Sequence, residues 1–216
     1  MSRFEQELDN LKRQVMEMGE LAESMVAWAA AALIERDRAI IQQVLAAEPR
    51  LDRFQIGIDS EAVRLITIYS PAAKDLRFLL MVARITSELE RIGDQAVNNC
   101  EYVELLLSAP PAQPLLDLSR MSAITHTMLH DALQAFTDED IERAQRVLQS
   151  DDEVDALNAQ TFRDLLRDTT PDPDTVNQCM TLVLLARSFE RIADHATNMS
   201  EEVIYLVKGE DIRHQT

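Results

Sequence analysis

Glycine, proline and aromatic residues are scarce in this chain. Its 216 residues include four glycines and seven prolines, and aromatic residues make up 5%. So few turn-forming residues leave little room for hairpins, and the alternation of apolar and polar residues that is typical of strands is hard to find. The composition therefore argues against a β fold and favours long helices.

The chain also lacks the features of secreted and membrane proteins. Its two cysteines, Cys100 and Cys179, do not have the spacing of a disulfide framework, which favours a reducing compartment. No apolar run approaches the ~20 residues needed to cross a bilayer, and the first residues lack the apolar core of a signal peptide. We expect a soluble, cytoplasmic protein without direct membrane insertion.

Positive charge is in short supply as well. Against 38 acidic residues there are 21 lysines and arginines, which gives a net charge of −17. Nucleic-acid binding needs clustered basic residues, so the charge argues against it and suits cations or basic protein surfaces, unless acidity serves only solubility. The sequence contains no P-loop, GxGxxG or GxSxG motif. We predict a protein that is not an enzyme.

An internal repeat is the clearest positive feature. Residues 89–98, LERIGDQAVN, match residues 189–198, FERIADHATN, and Glu90 aligns with Glu190 at an offset of 100. A second match pairs Asp52 with Asp155 at an offset of 103. Self-similarity on this scale implies two copies of one structural unit.

Each unit is predicted to contain three helices, because apolar residues recur every three or four positions, as in a helical bundle. The fold class is all-α, with two tandem three-helix bundles at residues 1–109 and 116–216 and a proline-rich linker at 110–115. We expect Pro49 to interrupt the second helix, and Ser70 with Pro71 to start the third. Thr137 is the expected cap of the second helix in the second unit.

Acidic residues form a pattern of their own. Glu90 and Asp94 are four residues apart, as are Glu190 and Asp194, and about 100° of rotation per residue points them away from the apolar seam. Such pairs destabilise a helix unless something neutralises them, and carboxylates suit hard or borderline metal ions. The same spacing occurs at Glu48 with Asp52 and at Asp151 with Asp155, although an acid-rich chain produces some such pairs by chance.

Arginine recurs beside these acids, at Arg91 and Arg191. Each side chain either pairs with neighbouring acids, an exposed contact worth ~0.2–1 kcal/mol, or anchors an acidic patch of a partner protein. The residue pattern leaves both interpretations open.

The paired segments 89–94 and 189–194 resemble the repeated signature of the PhoU family. Further matches are Met18-Gly19, the segment from Pro71 to Arg77, and the segments 128–131 and 205–214. The resemblance covers essentially the whole chain in order. It implies a cytoplasmic negative regulator of phosphate acquisition that connects the phosphate ABC transporter, through its ATPase PstB, with the sensor histidine kinase PhoR.

The resemblance also implies metal sites and a homodimer. The metal would be iron, zinc, magnesium or calcium, and the ligands carried over by motif fall in both units: Glu48, Asp52, Glu90 and Asp94 with Asn98, and Asp151, Asp155, Glu190 and Asp194 with Asn198. Pro49 lies within the first acidic pair, and we expect it to alter the position of Glu48 relative to Asp52. The alternative function is a helical metal-binding adaptor for another transporter or signalling system, because a bundle fold does not fix function.

Overall fold

Six helices account for nearly all of the structure. The computed structural model describes residues 2–108, 115–168 and 172–209, and no strand occurs within them. The helices are α1 (Arg3–Glu35), α2 (Arg38–Tyr69), α3 (Ala73–Leu107), α4 (Leu115–Asp138), α5 (Ile141–Asp168) and α6 (Pro173–Lys208). The all-α prediction is confirmed. None of the described helices combines the length and apolarity that crossing a membrane requires.

Helices α1–α3 pack together as one bundle, and α4–α6 pack together as a second. The predicted seams are buried: Ile85, Leu89, Ile92 and Ala96 of α3 are inaccessible to solvent, as are their counterparts on α6. Residues 110–114 of the predicted linker lie outside the described residues, and Leu115 begins α4. The predicted domain boundaries stay predictions.

The expected interruption at Pro49 is wrong, because α2 continues through it. Proline removes one backbone N–H and so costs the helix one hydrogen bond. Pro49 lies on the exposed side, while Val44, Ala47 and Leu51 on either side of it are buried in the core. Packing of this apolar stripe against the core keeps the helix continuous through Pro49.

Two predicted helix starts are also wrong. Ser70 has φ 44° and ends α2, donating its N–H to the carbonyl of Ile66; Pro71 then lies in the connection, and α3 begins at Ala73 without a side-chain cap. Thr137 remains inside α4, with its hydroxyl donating to the Leu133 carbonyl at 3.0 Å. The cap of α5 is Asp140, whose carboxylate accepts from the Arg143 N–H at 3.0 Å.

The bundles meet side by side through two antiparallel helix pairs, α3 with α6 and α1 with α4. Gly19 of α1 brings the second pair close, because a Cβ at this position would overlap the Leu133 side chain of α4. Along α3 and α6, Glu88 contacts His195 and Gln95 contacts Ser188. The repeat offset of 100 exchanges these two contacts, so an approximate two-fold axis passes close to Ile92 and Ile192.

Candidate functional site

The first acidic cluster lies between α2 and α3. Burial raises the pKa of the Glu90 carboxyl, and the charges of Asp94 and Asp52 raise it further. Burial and the charge of Asp52 likewise raise the pKa of Asp94. The α2–α3 packing therefore brings three of the predicted carboxylates within electrostatic range of one another. Glu48 is half-buried one turn before Asp52, and Asn98 is half-buried one turn after Asp94.

The second cluster lies at the equivalent place between α5 and α6, and it contains four carboxylates. Burial raises the pKa of Glu190, and Asp194 and Asp155 add to the rise, while Arg187 and Arg191 oppose it. Burial and the charge of Asp155 also raise the pKa of Asp194.

Asp151 is the most strongly perturbed member of this second cluster. Burial, followed by the charges of Asp155 and Asp194, raises its pKa to about 6. Its Oδ1 atom is buried and has no hydrogen-bond partner. A buried carboxylate oxygen without a donor is costly, and the cost falls when a proton or a cation neutralises the group. Asp151 thus marks the place where negative charge is least compensated.

Both clusters suit a cation by chemistry, and neither forms a closed cage. Carboxylate oxygens are the preferred ligands of hard cations, and the orphaned oxygen of Asp151 fits such a ligand. Within the described residues, however, no group of three or more His, Cys, Asp and Glu side chains is arranged to hold a metal ion at once. As they stand, the carboxylates of each cluster are close enough to repel one another but are not arranged around a common point.

A polar contact between the bundles lies between the two clusters. The Nδ1 atom of His195 is 2.7 Å from Oε2 of Glu88, and each side chain is about 15% exposed. The Asn198 amide donates to the same oxygen at 3.1 Å. Burial raises the pKa of Glu88, but the hydrogen bonds from His195 and Asn198 outweigh it and leave the pKa lowered. Glu88 therefore links α3 firmly to α6.

The two predicted partner-binding arginines lie near the two-fold axis, and both are exposed. Arg91 forms an ion pair with Glu88 at 3.6 Å. Arg191 lowers the pKa values of Glu190 and Asp194 through its positive charge. Both arginines thus interact with neighbouring acids and still present exposed side chains.

Comparison with known proteins agrees with this architecture. The PhoU domain model matches residues 15–103 and again residues 118–203. The chain belongs to the PhoU family. The phosphate-specific transport system accessory protein PhoU homolog of Caulobacter vibrioides is 38% identical over 213 residues, covering 98% of this chain and 93% of the relative. The PhoU protein of Escherichia coli (strain K12) is 34% identical over 211 residues, covering 98% and 88%.

Solved PhoU structures share the fold. The crystal structure of PhoU from Pseudomonas aeruginosa superposes with a TM-score of 0.93 at 32% identity and covers 96% of this chain and 100% of that one. The phosphate transport system regulatory protein PhoU from Streptococcus pneumoniae superposes with a TM-score of 0.90 at 24% identity, covering 97% and 99%, which supports the fold alone.

Sequence reasoning identified acidic pairs that the structure brings together between α2 and α3 and between α5 and α6, but it missed the contact between the bundles. Glu88 is replaced by Ser188 in the second repeat, and Gln95 by His195, so each pair exchanges one charged or titratable group for a neutral one. This substitution pattern was the available signal. It could be interpreted only once the antiparallel packing of α3 and α6 was known.

Proposed function

We propose that this protein is a negative regulator of phosphate uptake and of the phosphate-starvation (Pho) regulon. It acts in the cytoplasm as an adaptor between the phosphate ABC transporter ATPase PstB and the sensor kinase PhoR. The observation that supports this most directly is the family match over both repeats, together with 34–38% identity to PhoU proteins along 98% of the chain. A homodimer remains a prediction from the family.

An adaptor needs rigid surfaces, and the helical scaffold supplies them. Long helices with buried seams hold exposed side chains such as Arg91 and Arg191 at fixed spacing on α3 and α6. Their place beside the two-fold axis favours contact with an acidic patch of a partner protein. No catalytic residue is proposed, and regulation follows from binding alone.

We further propose that the two acidic clusters bind divalent or trivalent metal ions. Asp52, Glu90 and Asp94 would hold one ion, with Glu48 and Asn98 beside them. Asp151, Asp155, Glu190 and Asp194 would hold the other, with Asn198 nearby. A bound cation would neutralise the repulsion within each cluster and tie α2 to α3 and α5 to α6.

A phosphate-starvation reporter tests the regulatory function. Deleting the gene should raise reporter activity strongly in phosphate-rich medium, and the wild-type gene supplied in trans should restore repression. A variant carrying Arg91→Ala and Arg191→Ala should restore repression only in part. An unchanged reporter after deletion would reject the proposal and favour an adaptor for another transporter.

Metal content tests the acidic clusters separately. Purified protein, dialysed against iron, zinc, magnesium or calcium and then washed, should carry close to two ions per chain by elemental analysis. Glu90→Gln with Asp94→Asn should lower the content by one ion, and Glu190→Gln with Asp194→Asn should do the same. Equal metal content in all three proteins would show that these carboxylates are not ligands.

A further inference from the structure

An apolar groove opens at one end of the α3–α6 seam. It has a volume of about 530 Å³ and lies between the last turn of α3 and the first three turns of α6. Three of its lining side chains are large, apolar and exposed: Leu105 by 63%, Met180 by 55% and Leu184 by 40%. Neither the acidic clusters nor the contact between the bundles includes these residues.

The opposite end of the same seam differs, although the repeat makes the two ends equivalent. The counterpart of Leu184 is Arg84, whose Nη1 donates to both carboxylate oxygens of Glu202 at 2.9 Å. The counterpart of Glu202 is Tyr102. At this end of the seam the two equivalent positions form an ion pair, whereas at the groove end apolar side chains face solvent.

Charge separates the two ends as well. Asp174 lines the groove, Asp172 caps α6 beside it, and Glu101 continues the stripe of Leu105 and Ser108 by one turn along α3. The positions equivalent to Asp174 and Ser108 at the other end are Lys74 and Lys208. The groove thus combines large apolar side chains with the uncharged polar groups of Asn177, Gln178 and Thr181, and it is acidic at its rim.

Arg36 lies at the carboxyl end of α3 and is engaged there. Arg36 donates to the carbonyl oxygens of Leu106 and Leu107 at 3.0 and 3.3 Å and so caps that helix. Its charge is directed at the α3 carboxyl end, which carries the negative end of the helix dipole. Asp172 accepts hydrogen bonds from the Thr175 N–H and hydroxyl but keeps its negative charge, and together with Asp174 it can attract a positively charged partner.

We propose that this groove docks an amphipathic helix of a protein partner whose apolar face is flanked by lysine or arginine. Two antiparallel helices form a cleft into which a third helix packs, with its own backbone hydrogen bonds satisfied internally. Leu105, Met180 and Leu184 would contact the apolar face, and Asp172, Asp174 and Glu101 would face its basic flanks. This inference rests on the adaptor function proposed above and gives that function a contact surface.

Site-specific photo-crosslinking in the source cells tests the docking directly. The full-length protein would carry Met180→p-benzoylphenylalanine, and the matched control would carry Leu80→p-benzoylphenylalanine. Leu80 is the repeat equivalent of Met180 and is 50% exposed, so the two probes have similar access to solvent. We expect position 180, and not position 80, to crosslink to an amphipathic segment rich in lysine or arginine.

The crosslinked segment, made as a synthetic peptide, then serves as the probe for binding to purified protein. Met180→Asp should weaken its affinity by at least about tenfold, since an anchor residue of an interface is lost, and Leu80→Asp should leave it within about twofold. Asp174→Lys should weaken binding at low salt and much less at high salt. Matching thermal melts would confirm that the variants are folded.

Several results would overturn the inference. In the crosslinking experiment, these are a crosslink from position 180 only to a second copy of this chain, a crosslink to a segment without basic residues, or no crosslinked protein at all. In the binding experiment, the contrary result is an equal loss of peptide affinity in Met180→Asp and Leu80→Asp. The reporter experiment separates this failure from that of the regulatory function. If deletion raises reporter activity but Met180→Asp leaves peptide affinity unchanged, only the docking groove is rejected. If the peptide binds as expected and deletion leaves reporter activity unchanged, only the regulatory function is rejected.

Discussion

Replacing Asp151 by asparagine should stabilise the metal-free protein at neutral pH. The pKa of Asp151 rises from an ordinary 3.8 to about 6, because the folded state buries the carboxyl among other acids. At pH 7.5 the group is charged in both folded and unfolded states, and the charge is less favourable in the folded one. The asparagine side chain of the Asp151→Asn variant would have nearly the same shape without the charge.

The size of the gain follows from the pKa. A rise from 3.8 to about 6 corresponds to about 3 kcal/mol at pH 7.5. Solvent reaches part of the side chain and screens its charge, so we expect about 1–2 kcal/mol of added stability. For a chain of this length that is an increase in melting temperature of about 2–8 °C.

The pH dependence of stability tests the same penalty, and its direction follows from the raised pKa of Asp151. A carboxyl whose pKa is raised on folding destabilises the protein above that pKa, and the penalty disappears as pH falls from about 6 towards 3.8. The wild-type protein should therefore gain stability relative to Asp151→Asn as the buffer is taken from pH 7.5 to pH 5. The two melting temperatures should converge.

The assay is thermal unfolding followed by circular dichroism in the presence of EDTA. Asp152→Asn is the matched control, because it removes the same charge from an exposed position on the same helix and should change stability by no more than about 0.5 kcal/mol. With saturating metal in place of EDTA, the advantage of Asp151→Asn should vanish or reverse. An unchanged or lower melting temperature for Asp151→Asn in EDTA would refute this account of the cluster.

Further substitutions test helix packing and the contacts between the bundles by the same unfolding assay. Gly19→Val should lower the free energy of unfolding by about 1–3 kcal/mol by forcing α1 and α4 apart, whereas Gly57→Ala, where added atoms meet open space, should raise it by up to about 1 kcal/mol. Arg84→Ala should cost about 1–3 kcal/mol because Glu202, only 5% exposed, loses its cation, and a smaller loss in a Glu202→Gln background would confirm the coupling. The lowered pKa of Glu88 means that its charge stabilises the wild type above pH 4.5, and that this stabilisation is lost as pH falls through the lowered pKa. Glu88→Gln should remove this contribution. Stability curves of the two proteins that stay parallel below pH 5 would contradict the role of Glu88 in linking α3 to α6.

Much of the architecture was encoded locally. Apolar residues every three or four positions predicted the helices and their buried faces, because an α-helix repeats every 3.6 residues. The repeat of residues 89–98 at 189–198 predicted two copies of one unit, and the family match follows the same pattern. The acidic pairs could be placed on helix faces from their spacing alone.

Helix boundaries were less predictable, because several residues suit more than one role. Serine before proline is a good helix start, yet Ser70 ends α2 in a left-handed conformation. Pro49 suggests a break, yet buried neighbours keep α2 continuous. Local propensities of about 1–3 kcal/mol are outweighed when a whole apolar face packs against the core.

Sequence alone determined the fold class, through the spacing of apolar residues, and the repeat, through self-similarity at an offset of 100, and the family resemblance supplied the candidate ligands. Tertiary structure alone decided which helices face each other. The antiparallel packing of α3 on α6 joined Glu88 to His195, and it left one end of the seam as an apolar groove. The packing of α5 on α6 buried Asp151 among other acids. Such contacts join residues far apart in the chain, and their energies depend on burial, which no local pattern specifies.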